Sequence, residues 1–466
     1  MAVKIKFGTD GWRAIIAREY TTDNVQRVAE ATAHWMKSKG MSSVVIGYDC
    51  RFAGKMFADR TALVMGALGI KSFVAPDFVS TPMVSLGAKL LRADMGIVIT
   101  ASHNPPSYNG FKLKSSYGGP TVPEDIAAIE SGIKDAPRLE LDTLDALKQS
   151  GLVEVVDLEE MYLDHVRQNF DLELIHRSGV KVAYDAMYGA GQRIVPRILP
   201  NAELLHCDYN PSFKGQAPEP IHRNLGELSN LIAMREDIQF GLANDGDADR
   251  IGAYDEQGNF VDSHRILLLL LYYLAKYKGM TGKVVVTFSV TEKMQKMAEH
   301  FGFEFQVTPI GFKHIAKIMI KEDVIVAGEE SGGLAVKGHI PERDGVWNGL
   351  ILLEFMARTG KKMTELIQEV YEIVGPFDYD RDDLHIDERT KQAIIDTCKN
   401  NPYARFGPYS VTKLETVDGF KFYFDDGQWV MIRPSGTEPV LRVYAQGKDM
   451  KEVRDILHHV HQTLKQ

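Results

Sequence analysis

Thr100-Ala101-Ser102-His103-Asn104-Pro105 is the stretch on which the reading of this chain turns. It follows Met95-Gly96-Ile97-Val98-Ile99, a short apolar run rich in β-branched residues that reads as a buried strand. A serine is thereby delivered at the C-terminal end of a strand, where open α/β sheets bind ligands. His103 and Asn104 can polarise or orient groups around Ser102, and Pro105 and Pro106 stiffen the loop. Gly110-Phe111-Lys112 places a cation a few residues on. A serine hydroxyl beside fixed donors and a lysine suits covalent transfer of an anionic group, phosphate above all. Taken alone, the stretch leaves an ordinary serine-containing turn as the alternative.

Around this loop, strand-like and helix-like segments alternate. Thr22 to Lys39 has a helical apolar period, with Thr21 or Thr22 able to cap its start and Gly40 its end. Val44–Tyr48 and Lys71–Ala75 read as further strands, so the pattern is βαβ and the sheet mainly parallel. The pattern restarts at Val180–Tyr184, continues through Phe240–Ala243, and closes on a hairpin of Ile251–Tyr254 with Phe260–Asp262. It restarts again at Val284–Phe288 and Val324–Ala327. After Gly375-Pro376 the texture changes. A hairpin of Tyr409–Val417 with Lys421–Phe424, strands Trp429–Arg433 and Val440–Tyr444, and a helix Glu452–Leu464 suggest a small α+β domain.

The chain has 466 residues, enough for three or four domains of roughly 100–200 residues each. Its 54 basic and 63 acidic side chains give a net charge of −9, which argues against a general nucleic-acid surface while allowing a local basic pocket. Cys50, Cys207 and Cys398 are widely spaced, with neither metal-ligand nor disulfide patterning, so a cytoplasmic setting is expected. The longest apolar run, Ile266 to Ala275, is too short to span a bilayer as a helix, which needs about 20 residues. It reads as a buried core helix, and no membrane association is expected.

Three further motifs carry chemistry. Asp245-Gly246-Asp247-Ala248-Asp249-Arg250 follows a strand, and alternate carboxylates on extended backbone point to one side. Three converging oxygen donors make a hard-cation site suited to Mg²⁺. Left unneutralised they would repel one another, which weighs against a merely solvated turn. Arg250 can contact a phosphate or pair with a neighbouring aspartate. In Gly328-Glu329-Glu330-Ser331-Gly332-Gly333, Glu329 and Ser331 can bind sugar hydroxyls. In Arg433-Pro434-Ser435-Gly436-Thr437-Glu438-Pro439, an arginine, two hydroxyls and glycine-freed backbone donors make a phosphate cradle. Near the N-terminus, Gly8-Thr9-Asp10-Gly11-Trp12-Arg13 forms a turn from which Arg13 can reach the phosphate handled by Ser102, with Trp12 read as packing.

Together these segments, in this order and spacing, resemble the α-D-phosphohexomutase family of phosphoglucomutases and phosphomannomutases over nearly the whole chain. The resemblance implies an α/β fold with three related α/β domains plus a C-terminal α+β domain around a central cleft. On this chain the divisions fall at 1–150, 151–254, 255–374 and 375–466. It implies that Ser102 is the phosphorylated serine, with Asp245, Asp247, Asp249 and a phosphoserine oxygen as Mg²⁺ ligands. Lys112 and His103 match residues at the transfer site, Lys112 being the candidate for proton transfer, and Arg13 and Arg250 match cations near the catalytic phosphate. Glu329 and Ser331 match the sugar contacts. Arg433, Ser435, Gly436 and Thr437 match the loop holding the non-transferring phosphate.

The implied reaction interconverts hexose 1-phosphate and hexose 6-phosphate through a hexose 1,6-bisphosphate, which also serves as activator and must turn end for end. The Glu-Glu-Ser form of the sugar loop resembles phosphoglucomutases more than phosphomannomutases or phosphoglucosamine mutases, so glucose is the expected hexose and mannose the second. Gly333 stands where the latter two groups often carry a histidine, and Lys313, His339 and Arg343 are the alternatives for that contact. A serine hydrolase lacks its Gly-x-Ser-x-Gly elbow here. A metal-dependent phosphatase or a non-catalytic sugar-phosphate sensor would use the same residues with a different product or none.

Overall fold

The computed structural model describes residues 3–8, 10–434 and 440–465. Three mixed sheets share one strand order. In the first, Lys71–Val74, Ser43–Tyr48 and Met95–Ile99 run parallel, and Tyr108–Ser115 closes antiparallel beside the last. In the second, Glu203–Leu205, Val182–Asp185 and Phe240–Asn244 are parallel, and Ile251–Tyr254 is antiparallel. In the third, Phe305–Thr308, Lys283–Thr287 and Val324–Gly328 are parallel, and Leu334–Val336 is antiparallel. The Ser102 loop, the aspartate loop and the Glu329 loop thus occupy one topological position, the turn from the last parallel strand into its antiparallel neighbour. A fourth, wholly antiparallel sheet runs Asp378–His385, Val440–Gly447, Trp429–Pro434, Phe420–Tyr423, Lys413–Glu415. Arg433 lies near the end of its strand Trp429–Pro434.

The three α/β units are joined by apolar packing. One continuous cluster includes Val45 and Val98 of the first sheet, Tyr184 and Leu242 of the second, and Val326 of the third, with helix residues Leu267 and Trp347. Removing such a continuous apolar surface from water favours a single packed body. The C-terminal unit has its own core around Phe406, Phe422, Val443 and Ile456, and meets the third unit through Phe288, Trp429, Met431 and Tyr444.

Local sequence explains most elements. Thr21 caps helix Thr22–Ser38, its side chain accepting from the Asn24 N–H, and Gly40 follows in the left-handed region. The apolar run Ile266 to Ala275 lies in helix Ser263–Tyr272 and its π-helical continuation Tyr273–Tyr277, buried through Leu274 and capped by Asp262. Among the described residues no helix is long and apolar enough to cross a membrane.

One expectation needs correction, and one strand carries no signal. Tyr409–Val417 is not one strand. Tyr409–Ser410 pairs with Arg405–Phe406, and only Lys413–Glu415 pairs with Phe420–Tyr423, around a turn at Asp418-Gly419. The strand Asp378–His385 carries no apolar alternation because it is an edge, and its charged side chains are half-buried or exposed, as edge strands tolerate.

Candidate active site

The Ser102 loop begins at the end of a wholly buried strand, Met95–Ile99. Thr100 Oγ donates to Asp49 Oδ2 at 2.6 Å and accepts the Ser102 N–H at 2.8 Å. Ser102 adopts a left-handed backbone with φ 51°, uncommon for a residue with a side chain. His103 Nδ1 lies 3.4 Å from Ser102 Oγ. Burial, then the positive charges of Arg250, Arg13, Lys112 and Arg51, push this imidazole well below its usual pKa, so it stays neutral at pH 7.

Ser102 Oγ donates to Asp245 Oδ2 at 2.5 Å, which joins the first α/β unit to the second. The aspartate loop is a turn, not the extended segment that alternation suggested. The Ala248 N–H closes onto Asp245 O at 3.0 Å, and Ala248 has φ 56°. The turn still gathers the three carboxylates, with one oxygen of each within 4.8 Å of the others. Gly246 allows the approach, since a Cβ there would stand 2.5 Å from Ser102 O. Asp247 Oδ1 and Asp249 Oδ1 are buried without a hydrogen-bond partner among the described residues. Two orphaned carboxylate oxygens beside a third carboxylate and a serine oxygen fit a hard divalent cation such as Mg²⁺. Burial and the charges of Asp247 and Asp249 raise the Asp245 pKa. At Asp247 burial works the same way, but Lys112 and a hydrogen bond from Thr81 outweigh it and lower the pKa.

Lys112 is fully buried and contacts three carboxylates: Asp247 at 2.8 Å, Asp249 at 3.0 Å and Asp10 at 3.0 Å. Burial alone would lower its pKa, yet these neighbours hold it protonated, above the ordinary lysine value. Asp10 pairs with Arg343 as well and lies 3.7 Å from Lys114. Burial opposes ionisation of Asp10, but Lys112, Lys114, Arg343 and Arg13 keep its pKa well below the usual carboxylate range. Arg13 donates to Asn104 Oδ1 at 2.7 Å, within the Ser102 loop. The Arg250 Nε is buried with no hydrogen-bond partner among the described residues. Burial and then the nearby Arg250 lower the Arg13 pKa against the pull of Asp10, and the positive charges of both arginines act on His103.

The sugar-loop candidate closes the other side. Arg250 forms a bridge to Gly333, and the Ile251 N–H donates to Gly332 O at 3.1 Å, stitching the aspartate loop to the Glu329 loop. Glu329 is buried and accepts the Gly311 N–H at 3.0 Å. Ser331 is half-buried. Arg343 reaches across all three units, contacting Asp10, Asp249 at 2.8 Å and Glu329 at 3.8 Å. A Cβ on Gly333 would stand 2.5 Å from Arg343 Cδ, so the arginine occupies the space that a side chain at 333 would need. Of the three alternatives for that space, Arg343 fills it. His339 is committed elsewhere, to Asp344 at 2.9 Å and a stack on Trp347 at 3.9 Å. Lys313 is half-buried and lines a cavity of about 200 Å³ together with Asp10 and Gly11.

Arg433 is held by Asp418, Nε to Oδ1 at 3.1 Å, and Asp418 Oδ2 accepts the Ile310 N–H at 2.8 Å. Successive amides at 310 and 311 therefore bond to Asp418, the partner of Arg433, and to Glu329. Ser435, Gly436 and Thr437 lie outside the described residues.

Models of one family match this chain in four consecutive pieces, described as phosphoglucomutase/phosphomannomutase alpha/beta/alpha domain I over 4–139, domain II over 160–258, domain III over 262–374 and the C-terminal domain over 386–462. The chain belongs to this family. Among its relatives, a phosphoglucomutase/phosphomannomutase of Thermococcus kodakarensis is 30% identical, the match covering 97% of this chain and 96% of the relative. A phosphoglucosamine mutase of Carboxydothermus hydrogenoformans is 29% identical over 97% of this chain and 98% of the relative. A crystal structure of a provisionally named phosphomannomutase from Thermus thermophilus superimposes with a TM-score of 0.88 at 32% identity, covering all of both chains. The protein is thus a phosphohexomutase, an intramolecular phosphotransferase of carbohydrate metabolism. The family is metal dependent, and the acidic triad has a geometry that could hold a metal ion.

Sequence reasoning missed several residues of this phosphohexomutase site. Asp10 stands in its turn there without a role of its own. Asp49 and Arg51 follow strand Ser43–Tyr48, and their position at a strand's C-terminal end is the available signal. Lys114 pairs with Glu342 at 2.7 Å, which also accepts Ser85 Oγ at 2.9 Å. That contact, spanning more than 200 residues, has no local signature.

Proposed function

We propose that this phosphohexomutase interconverts hexose 1-phosphate and hexose 6-phosphate, with glucose preferred and mannose accepted, using Ser102 as phosphoryl carrier and a hexose 1,6-bisphosphate as intermediate and activator. The observation that carries the proposal is the Ser102–Asp245 contact inside a cluster of carboxylates and buried cations.

In the first step a sugar hydroxyl attacks the phosphorus of phosphoserine. The new O–P bond forms as the bond to Ser102 Oγ breaks, and the hydroxyl proton is passed on so that Ser102 ends as a free hydroxyl. In the second step Ser102 Oγ attacks the other phosphorus of the reoriented bisphosphate; the Oγ–P bond forms as the sugar O–P bond breaks, and the Ser102 proton passes to the leaving sugar oxygen, which releases the isomer and restores phosphoserine. Phosphoserine carries about −1.5 to −2 charges. Arg13, Arg250 and Lys112 offset part of this, and stabilisation is chiefly positional and electrostatic. Asp245, Asp247 and Asp249, with a phosphoserine oxygen, would hold Mg²⁺, which supplies charge neutralisation at the transferring group. Lys112 and His103 flank that group, and Lys112 is assigned the proton-handling role. Glu329 and Ser331 read sugar hydroxyls, with Lys313 and Arg343 at the pocket wall. Arg433, with Ser435, Gly436 and Thr437, anchors the phosphate that does not react.

The hexose preference is supported by Arg343. Its Cδ fills the space left by Gly333 and its guanidinium lies 3.8 Å from Glu329, with the Arg250 backbone bridged to the same loop. A pocket so lined favours neutral hydroxyls over the ammonium of a glucosamine phosphate. The relatives include phosphoglucosamine mutases, so the test is a panel of glucose, mannose and glucosamine 1-phosphates. The expected order in kcat/KM is glucose, mannose, glucosamine. Glucosamine phosphate as the best substrate would overturn the preference and leave the mutase assignment intact.

A further inference from the structure

Beneath the Ser102 loop lies a charged side chain that the mechanism above does not use. Arg51 is completely buried and ion-paired with Asp49 at 3.3 Å. Its Nη2 donates to Ser102 O at 2.6 Å and Asn104 O at 2.6 Å, and its Nη1 to Pro105 O at 2.9 Å and Tyr108 O at 3.0 Å. The Phe213 ring, from the second α/β unit, covers the guanidinium at 5.0 Å. Both peptide groups of Ser102 are therefore fixed, the N–H by Thr100 and the carbonyl by Arg51. Because the peptide unit is planar and trans, a Ser102 carbonyl aimed at Arg51 turns the His103 N–H away from it.

A left-handed conformation at a serine persists only where its surroundings over-determine it. Four carbonyls gathered on one guanidinium do so, and the ion's charge offsets the carbonyl dipoles close to the position of a phosphate dianion. The planar fork is essential to this arrangement. An ammonium on a lysine stem has three donors at one point and cannot span two pairs of carbonyls.

We propose that Arg51 is a positioning residue for phosphoryl transfer, holding Ser102 in the conformation that delivers Oγ to Asp245. This rests on Ser102 being the phosphoryl carrier.

The test uses the full-length wild type, Arg51→Lys and Arg51→Met. Phosphorylation of Ser102 by glucose 1,6-bisphosphate is followed in a single turnover by mass spectrometry, alongside steady-state KM and kcat for glucose 1-phosphate and thermal melting. In both variants the phosphorylation rate and kcat are expected to fall together by about 100-fold, the scale of an ångström's misplacement. KM is expected to stay within about threefold, because the hexose and its distal phosphate are bound elsewhere. If Arg51→Met fails to fold, having left Asp49 without its ion-pair partner, Arg51→Lys and Thr100→Val, which frees the Ser102 N–H, supply the comparison. A folded Arg51→Lys that accepts phosphate at the wild-type rate overturns the proposal, even if it melts earlier, since Arg51 would then be purely structural. A wild type that takes no phosphate at Ser102 instead defeats the functional reading on which the proposal rests.

Discussion

Ser102 Oγ and Asp245 Oδ2 lie 2.5 Å apart although 143 residues separate them in sequence. The contact places the Ser102 hydroxyl and the acidic cluster at one point between two sheets. It also explains why the glycine at 246 is needed, since a side chain there would run into Ser102 O. A buried carboxylate accepting from a hydroxyl is among the stronger neutral–charged hydrogen bonds. A nucleophile at Ser102, as proposed, would thus be oriented before substrate arrives.

If Ser102 carries the phosphate, Ser102→Ala removes the acceptor without disturbing the surrounding loop. Turnover should fall by roughly 10³-fold or more, as when a nucleophile is deleted. The phosphate mass increment should vanish from intact protein treated with glucose 1,6-bisphosphate. A variant retaining near-normal turnover would exclude a covalent route.

Asp247 carries one of the two orphaned carboxylate oxygens. Asp247→Asn keeps the shape and removes the charge. The Mg²⁺ concentration giving half-maximal activity should rise by about 10-fold or more, with melting in the absence of metal little changed. Removing metal from the wild type with a chelator should abolish turnover, and Mg²⁺ should restore it. An unaltered Mg²⁺ dependence in the variant would place the ion elsewhere.

Much of this site is legible in local sequence because the loops that carry it follow short, buried apolar strands. Ser102, Asp245, Asp247, Asp249, Glu329 and Arg433 are proposed on that basis. Residues that act through distant partners are not. Arg51 is recognisable only once the carbonyls of 102, 104, 105 and 108 are seen to converge on it. Asp10 gains its meaning from Lys112 and Arg343, and the choice among Lys313, His339 and Arg343 needs the geometry above Gly333. The aspartate turn and the polar strand Asp378–His385 escape for a related reason. Alternation of residue types fixes backbone shape only where one face is buried and the other is not.

Gly333→Ala places a methyl group within 2.5 Å of Arg343 Cδ. The arginine must move, at an overpacking cost of about 1–3 kcal/mol, and its contacts to Asp249 and Glu329 should loosen. KM for glucose 1-phosphate should rise, and discrimination against glucosamine 1-phosphate should narrow, in parallel steady-state assays. A variant that melts earlier but keeps the same substrate ratio would confine Arg343 to packing.

Arg433→Ala removes the proposed phosphate anchor. Each charge-assisted hydrogen bond is worth roughly 1.5–3 kcal/mol, but Asp418 already engages this guanidinium and substrate must displace it. The lower end applies, a loss of about 10-fold in affinity. Calorimetry should show glucose 1-phosphate and glucose 6-phosphate weakened alike, with Ser102 phosphorylation matched between samples. Weakening of one isomer alone would mean that the two orientations use different anchors.

The central claim is isomerisation through a phosphorylated Ser102. Phosphorus NMR of the wild type with glucose 1-phosphate, Mg²⁺ and a trace of glucose 1,6-bisphosphate, with mass analysis of the Ser102 peptide in the same sample, tests it most directly. The account predicts conversion to glucose 6-phosphate, phosphate on Ser102, and no accumulation of inorganic phosphate. Stoichiometric inorganic phosphate, or isomerisation with Ser102 unmodified throughout, would contradict it.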